Sequence, residues 1–245
     1  MKLYMTVGVL LASLCVAWPS WAKRQAALTP YDQAIQANPK DALAYYNRGL
    51  MYYELKAYQK ALANYNKALA LHPKYVDAYN GRGATYDDLK NYEKALSDYS
   101  QAIALDPQYA AAYNNRGMTY KILKQYEKAL ADYNKAIELE PHYAPIYHNR
   151  GALYDELKAY QNAQADYNKA LELNPKYAGA YHNRGKMYHT LGLYQSACDD
   201  YTKALQFTPH EMEIYLDRAL VYEKLGQYDK AKADRAKAEA RRIAK

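Results

Sequence analysis

The stretch AAAYNNRGMTYKILKQYEKALADYNKAIELEPHY, residues 110–143, decides the fold, because the chain repeats it with variations. Its triplet Asn115-Arg116-Gly117 returns as Asn149-Arg150-Gly151, a period of 34 residues (149 − 115). A fixed period of this length is typical of proteins built from repeated supersecondary units. Six copies fill the chain to its end, at residues 42–75, 76–109, 110–143, 144–177, 178–211 and 212–245.

Each copy predicts two helices separated by a short break. In the first copy, Tyr45, Gly49 and Tyr52 lie at spacings of four and three residues, which places them on one helical face. A second helix is predicted over residues 58–71, and Pro73 ends it because proline cannot donate the helical hydrogen bond. Small residues such as Gly49 let the two helices approach closely where a tyrosine of the partner helix must fit.

These phased positions resemble those of the tetratricopeptide repeat family. The resemblance covers residues 42–245 and implies an all-α fold, a right-handed alpha-solenoid of six helix-turn-helix repeats. It also implies that the first helix of each pair lines a concave groove that binds a partner protein or peptide, with no cofactor. The positions that carry the resemblance in the first copy are Tyr45, Gly49, Tyr52, Ala61, Tyr65, Ala68 and Pro73.

Both ends of the repeat array are expected to act as caps. Residues 23–41 predict an N-terminal capping half-repeat, with a short helix over residues 30–37 that starts at Pro30. In the last copy Ala219 replaces the glycine, Arg235 replaces the tyrosine, and no proline follows. A terminal helix has no neighbour on its outer face and should be polar there.

The amino-acid composition excludes some classes of protein and locates the basic charge. The 245 residues carry a formal net charge of +7 and include 31 Tyr against one Phe. Residues 230–245 hold seven basic and two acidic residues, a net of +5, so the basic character belongs mainly to the last helix. The two cysteines, Cys15 and Cys198, cannot make a disulfide scaffold or a cysteine zinc site.

The first 22 residues predict a secretory signal peptide. Met1-Lys2 precedes an uncharged apolar run from Leu3 to Ala17, and Ser20-Trp21-Ala22 offers small residues at a cleavage site after Ala22. The expected location is therefore periplasmic or secreted. The alternative is a membrane anchor formed by an uncleaved N-terminal segment, although the run is short for a span of about 20 residues.

One recurring arginine and one recurring aspartate predict ion pairs between packed helices. Planar guanidinium groups suit carboxylates, and charge that is partly buried is normally paired. The alternative is that the arginines form a ladder that binds anions. The predicted structural pairs involve Arg82, Arg116, Arg150 and Arg184 with Asp98, Asp132, Asp166 and Asp200.

The exposed face of the first helices predicts a peptide-binding groove. Asparagine amides offer both donors and an acceptor, so a row of them can hold a peptide backbone without reading its side chains. Other members of the resembled family carry such a ladder; the alternative is that these asparagines only suit a solvated face or cap a neighbouring helix. The candidate residues are Tyr46, Asn47, Asn80, Asn114, Asn115, His148, Asn149, His182, Asn183 and Lys186.

Two other site types are disfavoured on that face. The family's carboxylate clamp needs several basic groove residues, whereas only Lys121 and Lys186 qualify. His148, His182 and His189 are separated by a repeat or by seven residues, which is usually too far to share a metal ion, so no metal site is predicted.

The sequence therefore predicts a non-enzymatic scaffold that binds a peptide segment of a partner protein, in envelope assembly or complex organisation. It holds no nucleophile–base set, phosphate loop or His-Glu-x-x-His motif, and the repeats leave no room for a catalytic domain. The alternative is binding of a polyanion (nucleic acid, lipid or envelope polymer) through the basic C-terminal helix, with nucleic acid disfavoured. Membrane contact is expected only if the N-terminal segment is uncleaved, and self-association is compatible with the fold.

Overall fold

A computed structural model describes residues 21–243, which form thirteen α-helices and contain no strand. After α1 (Trp21–Ala37), the helices alternate between a first and a second helix of each repeat, here named A and B helices. The A helices are α2 (Ala42–Glu54), α4 (Val76–Asp88), α6 (Ala110–Ile122), α8 (Ala144–Glu156), α10 (Ala178–Thr190) and α12 (Met212–Lys224). The B helices are α3 (Tyr58–Leu71), α5 (Tyr92–Leu105), α7 (Tyr126–Leu139), α9 (Tyr160–Leu173), α11 (Tyr194–Phe207) and α13 (Tyr228–Ile243).

The chain forms two compact units, one up to Asn91 and one from Tyr92 onward. In the first unit, α1 to α4 pack in chain order, and α2 also contacts α4. In the second unit, each helix from α5 to α12 packs against the helix that follows it in the chain. In addition, α6 contacts α8, α8 contacts α10, and α10 contacts α12. The predicted all-α fold of stacked helix pairs is confirmed.

A glycine on each of the A helices α2, α6, α8 and α10 makes room for a tyrosine from the B helix of the same repeat. Tyr201 of α11 is fully buried, and a Cβ added at Gly185 would lie 2.7 Å from its ring. Contacts that short do not occur between relaxed atoms, so the glycine is required by close approach. The last repeat changes both partners together, since Ala219 faces a helix that carries Arg235 instead of tyrosine.

The turn between A and B helices ends the A helix with a left-handed residue. In the first repeat the Ala57 amide donates to the Tyr52 carbonyl and the Lys56 amide donates to the Tyr53 carbonyl, both at 2.8 Å. This is the Schellman pattern, which satisfies carbonyls that the helix end leaves free. Its left-handed position holds Lys56, Lys90, Lys124 and Lys158 in four repeats and Gly192 and Gly226 in the last two.

The N-terminal helix differs from its prediction. It begins at Trp21, so Pro30 lies inside α1 instead of starting the helix. An internal proline removes one helical hydrogen bond and is unfavourable on its own. Leu28, in the turn before it, is 7% exposed, and its burial supports the additional helical turns.

Residues 1–20 of the predicted signal peptide lie outside the described residues. Among the helices between residues 21 and 243, none is both long enough and apolar enough to cross a membrane.

Candidate functional site

The exposed sides of α6, α8, α10 and α12 form one face of the second unit, here named the A-helix face. The opposite side of α6, α8 and α10 carries the glycine and tyrosines that pack inward, so helical periodicity puts the candidate asparagines, histidines and Lys186 on the outer side. This face contains seven of the ten predicted groove residues. Tyr46, Asn47 and Asn80 belong to the first unit.

Side chains on the A-helix face join neighbouring repeats. The Asn149 Nδ2 group donates to Asn114 Oδ1 at 2.9 Å, and the Asn183 Nδ2 group donates to His148 Nε2 at 2.9 Å. Each bond connects one A helix to the next. An asparagine amide has two donor hydrogens and an acceptor, so each bridging asparagine retains further hydrogen-bonding capacity.

His148 is held as a neutral imidazole. Because its Nε2 accepts from Asn183, the proton lies on Nδ1, which donates to the Tyr177 hydroxyl oxygen at 3.1 Å. Burial lowers the pKa of His148 to about 4, and the positive charge of Lys121 contributes in the same direction. This histidine is therefore a fixed structural link at neutral pH.

A cavity of about 350 Å³ opens on the A-helix face. Tyr167 of α9 reaches it from below; its ring is fully buried and its hydroxyl has no hydrogen-bond partner among the described residues. A buried hydroxyl without a partner carries a free-energy cost that a bound ligand can relieve. The lining residues are Lys121, Ala152, Asp155, Glu156, Lys158, Tyr160, Tyr167, Asn183, Lys186 and Thr190.

Charges of both signs surround this cavity. Burial raises the pKa of Asp155, while the positive charges of Lys121 and Lys186 oppose that shift. Lys121 lies 3.6 Å from Glu156, whose carboxylate also accepts from the Tyr126 hydroxyl at 2.7 Å. The cavity lining therefore holds three ammonium groups and two carboxylates, of which Asp155 is partly buried, and this mixture of signs does not suit a simple polyanion.

The predicted groove residues of the first unit are less accessible to a bound peptide. The ring of Tyr46 lies 5.0 Å from that of Tyr75 and 6.0 Å from that of Tyr65, and burial raises its pKa. Asn47 and Asn80 are half-buried. In the second unit Asn114 is buried, whereas Asn115, His182 and the two bridging asparagines are half-buried and Lys186 is exposed.

The recurring arginines form hydrogen bonds with residues on two neighbouring helices. Arg116 donates from Nε and Nη2 to the two carboxylate oxygens of Asp132, each at 2.8 Å, and from Nη1 to Ser100 at 3.1 Å. The guanidinium also lies over Tyr113 and Tyr120 of its own helix. The same bidentate arrangement joins Arg150 to Asp166, Arg184 to Asp200 and Arg218 to Asp234.

The sequence predicted the contact of each arginine with an aspartate, but it did not predict the hydrogen bond from Nη1 to the preceding B helix. Arg82 donates to Asn66 at 2.6 Å in the first unit, and the corresponding partners of Arg150 and Arg218 are Asn134 and Thr202. In the second unit, Arg116, Arg150, Arg184 and Arg218 thus each tie their A helix to two B helices. These contacts occupy the guanidinium groups and argue against a ladder for anions. Arg82 and Asp98 lie in different units, and their pairing stays a prediction.

The three histidines singled out by sequence do not cluster. His148 is bound to Tyr177 and Asn183, and the His189 ring lies 5.9 Å from that of Tyr194. His182 instead faces Asp217 of α12, with His182 Nε2 2.8 Å from Asp217 Oδ2. The acidic neighbours of His182 are the feature that sequence reasoning overlooked.

Models of the tetratricopeptide repeat match most of the chain. One matches residues 76–109, 110–143 and 144–177, and another, described as a TPR repeat, matches 25–56 and 49–90. Two further models match residues 166–199 and 213–238. A search among curated proteins found no match.

Solved structures share the fold at low sequence identity. The crystal structure of the APC/C hetero-tetramer Cut9-Hcn1 matches 89% of this chain with a TM-score of 0.79 and 19% identity. This chain spans 43% of that one. A tetratricopeptide repeat protein from Parabacteroides merdae matches with a TM-score of 0.70, 24% identity and coverage of 89% of this chain and 87% of that one.

YrrB, a TPR protein with an unusual peptide-binding site, matches with a TM-score of 0.54 and 24% identity, over 77% of this chain and 97% of its own. These likenesses establish the fold. Together with the repeat models, which cover most of the sequence, they show that the chain belongs to the tetratricopeptide repeat family, whose fold serves protein–protein interaction.

Proposed function

We propose that the chain is a non-enzymatic scaffold that binds an extended peptide segment of a partner protein across the A-helix face. The peptide lies over the cavity between α6, α8 and α10. Binding there uses hydrogen-bonding groups that the fold holds in position and leaves without a full set of partners.

The observation that carries this proposal is the unpartnered Tyr167 hydroxyl beneath the cavity. A peptide carbonyl above it accepts a hydrogen bond from the hydroxyl, which relieves the cost of burying that group. Asn183 supplies a second donor and an acceptor, because only one of its amide hydrogens is engaged by His148. Asp155 adds a preference for a peptide donor or a basic side chain.

The polyanion alternative is less well supported by the last helix. Arg241 donates to the Pro209 carbonyl at 2.9 Å and lies over the Tyr215 ring, while Arg235 and Arg242 form ion pairs with Glu223 and Glu239. These contacts direct part of the basic cluster toward the protein. Some charge remains exposed, so the experiment below includes this outcome.

The proposed location is the periplasm or the extracellular space, with a role in envelope assembly or complex organisation. It rests on the N-terminal sequence of residues 1–22. Cell fractionation, followed by N-terminal sequencing of the purified chain, tests it. A chain recovered from the membrane with Met1 intact supports the anchor, and a cytoplasmic chain overturns the proposal on location.

Peptides selected from a random library against the wild-type chain test the binding proposal. Their dissociation constants are then measured by fluorescence anisotropy on Tyr167→Phe and Asp155→Asn. The control is Tyr201→Phe, which removes an equally buried and unpartnered hydroxyl in the next repeat, away from the cavity lining. Loss of one useful hydrogen bond should weaken binding about fivefold in the first two variants.

Equal affinity of all three variants and wild type would place the binding surface elsewhere. Failure to select any peptide, combined with salt-sensitive binding of a polyanion that is lost on removal of residues 235–245, would favour the alternative function.

A further inference from the structure

Three potential metal ligands meet where α10 packs against α12. They are His182 on α10 and Glu213 and Asp217 on α12, and one ligand atom from each lies within 4.8 Å of the other two. Glu213 and Asp217 are four residues apart, so both carboxylates point from one helical face toward the histidine. One imidazole nitrogen and two carboxylate oxygens form a donor set that suits a divalent transition-metal ion.

The equivalent positions of the two preceding repeats lack this combination of ligands. One repeat earlier the three positions are His148, Gly179 and Asn183, and two repeats earlier they are Asn114, Pro145 and Asn149. In both cases an asparagine makes the contact between A helices, and neither place has a carboxylate. The last junction changes two positions to acidic residues at once, although an asparagine at one of them would preserve the link.

The two carboxylates stand where the previous repeat has uncharged residues, and they are unfavourable to the fold without a counter-charge. Like charges four residues apart on a helix repel. Lys186 lies 3.4 Å from Glu213, but both side chains are about half exposed or more, so this ion pair is weak. Lys186 is free to move into solvent when another cation occupies the junction.

We propose that His182, Glu213 and Asp217 bind one divalent transition-metal ion, with Zn²⁺ as the reference ion. The ion takes the place of the hydrogen between His182 Nε2 and Asp217 Oδ2, with the imidazole proton carried on Nδ1 instead, and so links α10 to α12. Three protein ligands leave one tetrahedral position for water or for a donor group of a bound partner.

The test is a competition titration of Zn²⁺ against a chromogenic chelator, using the untagged chain because a histidine tag would bind the ion. Asp217→Asn is the main variant: it removes a charged ligand yet reproduces the His148–Asn183 pair one repeat earlier, so it should fold. Lys186→Gln removes the competing ammonium. His142→Ala and Asp229→Asn are controls that change an exposed histidine and an exposed aspartate away from the junction.

Wild type and both controls should bind one ion with the same affinity, Asp217→Asn should bind at least about tenfold more weakly, and Lys186→Gln should bind more tightly. Circular dichroism checks that Asp217→Asn retains the wild-type fold. Co²⁺ added to wild type should give a visible absorption band that the variant lacks. Absence of Zn²⁺ binding by wild type, or unchanged affinity in a folded Asp217→Asn, would overturn the proposal.

Discussion

Moving one carboxylate across an arginine tests what holds the repeats together. Arg150 lies between Asp166, which is nearly buried, and Asn134, which is exposed. The first repeat has the opposite arrangement, because Arg48 pairs with Asp32 on the preceding helix at 2.7 Å and with Asn64 on the following one at 2.8 Å. The double variant Asn134→Asp, Asp166→Asn copies that arrangement without changing side-chain size.

The single variant Asp166→Asn should lower the free energy of unfolding by about 2–3 kcal/mol. It removes the charge and one of two hydrogen bonds of 2.7 Å, and bonds to charged groups are worth about 1.5–3 kcal/mol each. The loss stays below the value for a fully buried pair, about 3–5 kcal/mol, because the Arg150 side chain is 20% exposed and keeps Asn134.

The added aspartate at position 134 should recover about 1 kcal/mol, since the equivalent Asp32 side chain is 47% exposed and solvent weakens such a pair. Urea unfolding followed by circular dichroism on wild type, both single variants and the double variant gives the coupling energy as a double-mutant cycle. Additive effects of the two changes would refute the idea that the carboxylate acts by neutralising the arginine.

Three further outcomes follow from packing and charge. Gly185→Ala should lower the free energy of unfolding by about 1–3 kcal/mol, because its Cβ meets Tyr201 at 2.7 Å; a change below 0.5 kcal/mol in chemical denaturation would show that the ring moves aside at little cost. Since the pKa of His148 is about 4 against an ordinary 6.5, the unfolded chain binds its proton first as the pH falls, so stability present above pH 6.5 is lost toward pH 4, by on the order of 3 kcal/mol. His148→Asn should remove that pH-dependent loss in denaturation curves, and an unchanged slope between pH 6.5 and 5 would contradict it. Cys198 is 7% exposed, so in a Cys15→Ser variant it should react with a thiol reagent only when urea unfolds the chain, whereas fast reaction of that variant in buffer would place Cys198 at the surface.

The regular part of this fold is readable from sequence. A helix that starts at Ala42, a second that starts at Tyr58 and a stop before Pro73 all follow from apolar spacing and proline, and the structure has them at those residues. The buried tyrosine opposite Gly49 follows from the same spacing, since Tyr65 is fully buried. Such local rules hold because every copy repeats the same contacts.

Other contacts escape sequence reasoning because their partners vary or fall out of phase. The second arginine bond is received by an asparagine at positions 66, 134 and 168, but by Ser100 and Thr202 in other repeats, so no single residue type marks it. The contacts between A helices join residues 35 apart, one more than the period, as in Asn114 and Asn149. The early start of α1 accompanies the burial of Leu28, and local propensity does not report such a tertiary contact.

The buried tyrosine hydroxyls without a hydrogen-bond partner could have been anticipated from the amino-acid composition. A chain with 31 tyrosines and one phenylalanine keeps a hydroxyl at core positions where a plain ring would pack as well. At Tyr167 that hydroxyl lies beneath the cavity. Counting tyrosine against phenylalanine at packed positions would have pointed to it.

The double-sided arginine contact also bears on how such a chain can change length. Deleting residues 144–177 would bring Arg184 to Asn134 in place of Asn168, and Asn183 to Asn114, the present partner of Asn149. Each replaced group is met by one of the same chemistry, so both sides of the new junction close without an unpaired charge. We therefore expect the inner repeats to be exchangeable, and we expect loss of a whole copy such as residues 144–177 to leave these contacts paired on both sides.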